Sequence, residues 1–387
     1  MLVDIVNLTI QIYTFMLLAI SSYSLYVFKM FPSLQKTFES KEWPMVSIII
    51  PVKNEEDTVK NCLDSILRID YPSKEIIVVE GVSKDRTSLI IQEYRDKVTI
   101  LKEEPKPSSW VGKSWACHQG FLKSTGEILL FTDSDTLHSS DSLKRSVSYF
   151  INNKVDLLSL YPKLVFRCLS ERIMMPFIAL IIVVFFGGSK VNNDASKTSN
   201  ANGQYLLTKR SSYLATGGHY SIRREIVEDI KLAEAYKKSG FRIRLLYGFD
   251  VFETSMYSDF QELWSGWVKN AYAGLNFSKL NLLAGLSSIY LGFILPFNIL
   301  SYNIITGNVF SNPIGISNII EIIIIYSCMS IFYFKIGGSL KYAVFTPVAA
   351  AIYFTMILVS FYKVVIGGGV EWKDTKYDLV SMKSQEE

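Results

Sequence analysis

The sequence predicts an α/β domain built on a mostly parallel sheet, set between one N-terminal transmembrane anchor and a C-terminal bundle of transmembrane helices. Three observations carry this: an uncharged apolar stretch at residues 5–28, short apolar runs alternating with amphipathic stretches across 43–270, and three more apolar stretches beyond residue 280. The 387 residues, 49% of them hydrophobic, suffice for one large domain beside the membrane segments.

Residues 5–28, at about 1.5 Å per residue, are long enough to cross a hydrocarbon core of about 30 Å. The stretch is too long for a signal-peptide core and no A-x-A-like site follows it, so it is expected to stay as an anchor. Next come four runs that read as strands, VSIIIPV at 46–52, EIIVVE at 75–80, VTILK at 98–102 and EILLFTD at 127–133. EEDTVKNCLDSILRI at 55–69 and RTSLIIQEYRDK at 86–97 read as the amphipathic helices between them. Strand and helix in alternation imply right-handed crossovers and a parallel sheet, whose ligands bind beyond the carboxyl ends of the strands.

The loops at those ends are PVKNEEDT at 51–58, EGVSKDRT at 80–87 and TDSDT at 132–136. Acids gathered on one rim repel unless a cation or a set of hydroxyl donors answers them. A hard divalent ion, Mg²⁺ or Mn²⁺, shared between one or two carboxylates and substrate phosphates would do so. Taken singly, a D-x-D turn is a common surface feature and Asn-Glu-Glu suits a helix N-terminus. Their recurrence at successive strand ends is what favours a ligand site.

Further along, IMMPFIALIIVVFFGG at 173–188 is apolar but only 16 residues long, short of the roughly 20 needed to span. It is expected to be an interfacial or re-entrant segment, with a buried core helix as the alternative. A full crossing there would put Asp135 and Asp229 in different compartments. The stretches at about 281–305, 313–334 and 342–362 form the expected bundle. Within it Glu321 must face other helices or headgroups, and Pro296 and Pro347 are expected to interrupt the first and third spans. The domains are thus expected at 1–42, 43–275 and 276–387. Lys29, Lys36 and Lys41 follow the anchor and Lys335 and Lys341 separate the last two spans. The positive-inside rule then makes the chain a multi-pass protein of the cell membrane, with the α/β domain cytoplasmic.

Composition narrows the partners. A net charge of +4 with no Lys/Arg block gives no reason to expect nucleic acid. The three His and four Cys show no C-x-x-C or H-x-x-x-H spacing, so zinc is not expected, and unpaired Cys suit a reduced compartment.

VSIIIPVKNEE, EIIVVEGVSKDRT, GEILLFTDSDT and IVEDIKLAEAYKKSGFRI, in this order, resemble the family 2 glycosyltransferases. The nearest branch is membrane-bound, similar to ceramide glucosyltransferase and the carotenoid- and hopanoid-associated glycosyltransferases. The resemblance covers roughly 43–275 and implies a Rossmann-like GT-A catalytic domain that takes a UDP- or GDP-sugar, inverts the anomeric carbon and serves a lipid acceptor in the membrane. Matched residue by residue, Pro51, Lys53 and Glu55 line the base and ribose, and Glu80 and Asp85 face the nucleoside. Asp133 lies nearer the ribose and shares the metal with Asp135, the direct ligand by the pattern, while Asp229 is the catalytic base. An inverting transfer needs one carboxylate as base and no second one as nucleophile, though Glu228 and Asp229 also suit a plain helix first turn.

Lys113, in SSWVGKSWACHQG, stands where a Lys approaches the donor diphosphate in that branch; a Walker A loop is excluded because Pro107 replaces its first Gly. Gly217 and Gly218 would let the backbone approach sugar or acceptor, and His219 is either a pocket group or a structural histidine. Two departures stand out. Gly81 replaces the second acid of the nucleoside motif, and QELWSGWVKN keeps Gln261 and Trp264 but not the Arg-Trp pair of processive relatives. Trp264 and Trp267 are read as an acceptor wall or as interfacial residues. A processive polysaccharide synthase and a non-catalytic nucleotide-binding scaffold remain the alternatives.

Overall fold

The computed structural model describes residues 31–36, 39–40, 42–185, 188–307, 309–310, 313–367, 370–372 and 375–377, with positions 13, 15, 22, 23 and 26. The expected anchor at 5–28 lies almost wholly outside the described residues. Two compact units are present: Phe31–Val165 with Phe186–Met256, and Phe166–Phe185 with Met1–Met30 and Tyr257–Glu387.

In the first unit, β1 (Val46–Val52), β2 (Lys74–Glu80), β3 (Thr99–Lys102) and β4 (Ile128–Thr132) alternate with α1 (Val59–Leu67), α2 (Thr87–Gln92) and α3 (Gly112–Lys123). There follow β5 (Thr136–His138), α4 (Ser142–Asn152), β6 (Leu157–Tyr161) and β7 (Lys163–Leu164). After α5 (Leu169–Phe185), which belongs to the second unit, come β8 (Tyr205–Lys209), α6 (Arg210–Ala215), α7 (Gly218–Ser221), α8 (Glu228–Lys238), β9 (Ile243–Tyr247) and β10 (Phe252–Thr254). The main sheet has the order β3-β2-β1-β4-β8-β6-β9, and a small sheet the order β5-β10-β7. In the main sheet β8 alone runs antiparallel, to β4 and β6, so the expected mostly parallel sheet is present. β1 is buried at every residue but Pro51, as a strand covered on both faces must be.

Both expected helices are shorter than their apolar pattern. The first begins only at Val59, because Glu55–Thr58 form a turn in which the Thr58 hydroxyl donates to the Glu55 carboxylate at 2.6 Å. The second ends at Gln92, and the backbone then turns as Lys97 N donates to Tyr94 O at 2.8 Å.

The second unit gathers α5, α9 (Phe260–Gly274), α10 (Lys279–Ile289), α11 (Leu295–Ile305), α12 (Pro313–Lys335) and α13 (Thr346–Val365). Lys279–Ile305, Ile314–Lys335 and Leu340–Val365 are long and apolar enough to cross a membrane. Pro296 does disturb the first of these: it lacks an amide hydrogen and its ring crowds the preceding turn, and a π turn at Tyr290–Ile294 absorbs the misfit. Pro347 likewise follows a change of helix type, from a 3₁₀ turn at Leu340–Phe345 to α13, in whose first turn its missing amide hydrogen breaks no bond. Glu321 is buried and accepts from Asn318 Nδ2 at 3.2 Å, while the same amide donates to Pro296 O at 2.9 Å.

The segment expected to lie at the interface, 173–188, is for the most part the helix α5, with Phe177 fully buried against the ring edges of Phe293 and Tyr353 at 5.0 and 6.3 Å. This is the buried-helix alternative. Residues 166–185 and 257–275, expected inside the 43–275 domain, group with the apolar helices because their buried faces are apolar and find apolar partners there.

Candidate active site

The strand ends of the α/β unit are held by side chains. Asn54 takes the left-handed conformation, φ 52°, which an Asn tolerates at a turn, and its side-chain Oδ1 accepts from Lys84 N at 2.9 Å. Glu55 N donates to Thr87 Oγ1 at 2.7 Å and Glu56 N to Asp85 Oδ2 at 3.2 Å, while Arg86 Nε pairs with Glu56 at 3.2 Å. Glu80 accepts from Ser83 N at 3.1 Å and Ser88 Oγ at 2.7 Å. The acids of the first two loops are therefore answered mainly by hydroxyls and amides that stitch the loops together. Burial works against the Asp85 charge, and hydrogen bonds from Thr87 and Glu56 outweigh it, leaving its pKa below the ordinary value.

The Asp133–Asp135 turn rests on a buried polar platform. Thr136 Oγ1 donates to Asp133 O at 2.7 Å, Thr254 Oγ1 to Asp135 O at 3.3 Å and Thr132 Oγ1 to Gln204 O at 2.8 Å. His138 Nε2 lies 3.0 and 3.1 Å from the Thr132 and Thr136 hydroxyls, and burial holds its pKa down to about 3, so the ring is neutral. The small sheet thus fixes the turn from below, through the pairing of Thr254 with Thr136.

Lys113, at the start of α3, connects this turn to α8. Its Nζ stands 2.8 Å from Asp133 Oδ1 and 2.9 Å from Glu228 Oε1. Burial opposes the lysine charge, but the two carboxylates hold its pKa well above the usual range. Asp229, beside Glu228, accepts from Gly203 N at 2.9 Å and from its own Ile230 N at 2.8 Å. Burial first, and the Glu228 charge second, raise its pKa to about 6 against the pull of Lys113 and the two amides. A carboxylate so placed is charged near neutrality yet has appreciable proton affinity, as a general base requires.

Two residues of this cluster were not singled out from sequence as site residues. Glu228 looked like an ordinary first-turn acid. Gly203 is the other: a Cβ there would lie 3.0 Å from Lys113 Nζ, 3.3 Å from Glu228 Oε1 and 3.4 Å from Asp229 Cβ. The signal was the Asn-Gly of NGQYLLTK, which only the fold brings under Lys113.

The remaining expected residues divide. Pro51, Lys53, Glu55, Glu80, Asp85, Lys113, Asp133, Asp135 and Asp229 all belong to the α/β unit. Gly217 and Gly218 have φ 79° and 48°, and what approaches Gly218 is the Tyr213 ring, 2.2 Å from where a Cβ would stand. His219 is buried, with Nδ1 2.7 Å from Tyr213 Oη and a pKa lowered to about 3 by burial, which is the structural-histidine reading. Gln261, Trp264 and Trp267 belong to the helical unit on α9, where the Trp267 ring meets Tyr353 at 6.1 Å.

Among the described residues no three His, Cys, Asp or Glu side chains gather as a metal cage. The Asp133–Asp135 turn offers two carboxylates, one already shared with Lys113. That donor set suits a hard Mg²⁺ or Mn²⁺ that completes its shell with phosphate and water oxygens.

Residues 47–229 match the family model of glycosyl transferase family 2. A 4,4'-diaponeurosporenoate glycosyltransferase of Staphylococcus aureus (strain MRSA252) is 30% identical over 244 residues, 62% of this chain and 64% of that protein. The same enzyme from strain USA300 is 29% identical over the same extent. The match therefore spans less than two thirds of those relatives' length. A solved mannosyltransferase of Pyrobaculum calidifontis, in complex with GDP-Man and Mn²⁺, has a TM-score of 0.50 at 17% identity, over 92% of this chain and 99% of that one. That likeness bears on fold alone. The α/β unit thus has a GT-A-like fold, residues 47–229 are similar to glycosyl transferase family 2, and among the described residues three helices long and apolar enough to cross a membrane follow.

Proposed function

We propose that the protein is an inverting, metal-dependent glycosyltransferase that moves one sugar from a UDP- or GDP-sugar to a lipid acceptor. The observation that carries this is Lys113 bridging Asp133 and Glu228 beside Asp229, whose pKa of about 6 suits proton abstraction. The donor lies along the carboxyl ends of β4, β1 and β2, with its diphosphate at Asp133 and Asp135 and its nucleoside toward Pro51, Lys53, Glu55, Glu80 and Asp85. Asp135 and Asp133 would hold a divalent ion there, whose positive charge would stabilise the leaving diphosphate.

Asp229 takes the proton of the acceptor hydroxyl as that oxygen bonds to the anomeric carbon and the carbon–phosphate oxygen bond breaks. One displacement from the opposite face inverts the centre, and the nucleoside diphosphate leaves. Gly203 N and Ile230 N hold both Asp229 oxygens in place throughout. The lipid character of the acceptor rests on the three apolar helices and on an apolar cleft of about 450 Å³ in the helical unit, lined by Leu169, Ile173, Met174, Phe260, Val348 and Ile352 among others. Gln261, Trp264 and Trp267 are assigned to the acceptor, and the catalytic domain to the cytoplasmic side of the cell membrane.

The test is transfer from a panel of UDP- and GDP-sugars by protein in lipid extract with Mn²⁺ or Mg²⁺. A product carrying one sugar, lost in Asp229→Asn and Asp135→Ala and after EDTA, supports the proposal. Activity that survives loss of Asp229 refutes it.

A further inference from the structure

Besides β1, β2 and β4, β3 also delivers a carboxylate to the same rim. Glu103 follows the last residue of β3, and its amide donates to Glu80 O at 2.8 Å, continuing the Glu80–Lys102 register. Its side chain folds back over Gly81. A Cβ on Gly81 would stand 2.5 Å from Glu103 Oε2 and 3.6 Å from Lys53 Cβ, so the carboxylate occupies the space that a side chain at 81 would take. Gly81 is the position where the resembled family writes its second acid. Here the acid reaches nearly the same place from the neighbouring strand. Burial pushes the Glu103 carboxyl up, and the Lys53 and Lys106 charges oppose that shift.

The sheet order indicates what Glu103 meets. From β4 to β1 to β2 is two strand steps, roughly 10 Å at about 4.8 Å each. A nucleoside diphosphate with its phosphates at the Asp133–Asp135 turn and its ribose over β1 brings its base above β2 and β3. At that edge uracil and guanine each present a ring N–H beside a carbonyl, whereas adenine and cytosine present a ring nitrogen that accepts. An ionised carboxylate only accepts.

We infer that Glu103, in the space left by Gly81, reads the donor's base by accepting its ring N–H, admitting uracil or guanine nucleotides and rejecting adenine and cytosine ones. This rests on the donor site given under Proposed function.

The test measures binding of UDP, GDP, ADP and CDP to the full-length protein in detergent with Mn²⁺, by calorimetry. Wild type is expected to bind UDP or GDP at least about tenfold tighter than ADP and CDP, and Glu103→Gln to cut that ratio by about 10- to 100-fold, since an amide can also donate to adenine and cytosine. Gly81→Ala, which displaces only the flexible end of Glu103, is expected to lower the ratio with the charge still present. Both variants are checked for an unfolding temperature like that of wild type. Ratios unchanged in both variants, or a wild type that binds ADP or CDP as tightly as UDP and GDP, overturn the role of Glu103 and leave the donor site standing. Failure of wild type to bind any of the four overturns the donor site and this inference with it.

Discussion

The Asp229→Asn variant should make the folded protein more stable relative to wild type as the pH rises. Asp229 has its pKa raised from 3.8 to about 6, with burial the main cause and Glu228 the second. Below about pH 4 the carboxyl is protonated in both folded and unfolded chains, and this contribution to stability is fully present. As the pH rises through about 6 the unfolded chain releases its proton first and stability is lost. The interval corresponds to about 3 kcal/mol at 1.36 kcal/mol per pH unit, and partial exposure of Asp229 discounts that to about 1–3 kcal/mol. Asn stays neutral at every pH and so avoids the loss. It also presents an NH₂ to one of the two amides that Asp229 accepts, a pH-independent penalty of about 1 kcal/mol. The assay is urea unfolding in detergent, followed by tryptophan fluorescence at intervals from pH 4.5 to 8. The stability of Asp229→Asn minus that of wild type should climb by about 1–3 kcal/mol and level off above pH 7. A difference flat in pH, or falling with it, would refute the claim that Asp229 is held as a proton-hungry carboxylate.

Other outcomes follow from the same cluster and from the spans. Lys113→Met leaves Asp133 and Glu228 facing each other without a cation and should destabilise the α/β unit by about 2–4 kcal/mol, read by the same unfolding assay. It should also move the acid limb of the transfer rate to higher pH, because Lys113 is the charge that lowers the Asp229 pKa. Gly203→Ala places a methyl 3.0 Å from Lys113 Nζ and should lower turnover by about tenfold or more while costing less than about 1 kcal/mol of stability, a split that comparing kcat with the unfolding curve will show. Asn318→Leu removes the donor to Pro296 O and Glu321 and should lower stability in detergent by about 1–2 kcal/mol, measured as thermal unfolding. EDTA should abolish transfer, and added Mn²⁺ or Mg²⁺ should restore it in wild type but not in Asp135→Ala.

What was legible in the sequence was what repeats locally. Val46–Val52 and Ile128–Thr132 are buried along nearly their whole length, so their apolar runs announce central strands without reference to any partner. The three long apolar helices declare themselves by length in the same way. β6, β8 and β9 are not legible in the sequence because their pairing is non-local: Leu157–Tyr161 carries Ser159, a polar residue made tolerable by Asn202, whose amide donates to its hydroxyl at 2.7 Å. Helix α5 resembled a surface-seated segment because 16 apolar residues look alike whether lipid or protein covers them. Asp133, Asp135 and Asp229 could be named from motif, but the Lys113–Glu228 contact and the closeness of Gly203 depend on three chain segments meeting. Side chains that tie loops, such as Asp85 and Glu80, look the same in sequence as side chains that wait for a ligand.

The stitching of Asn54, Glu55 and Glu56 to Lys84, Thr87 and Asp85 has a kinetic consequence. Each loop caps the other, so neither can open while its neighbour stays closed. Hydrogen exchange at the amides of residues 54–56 and 84–87 should therefore proceed as one cooperative event with a shared opening free energy. A loop pair that unlatches only as a whole offers an arriving nucleotide a single rigid wall rather than two independent flaps.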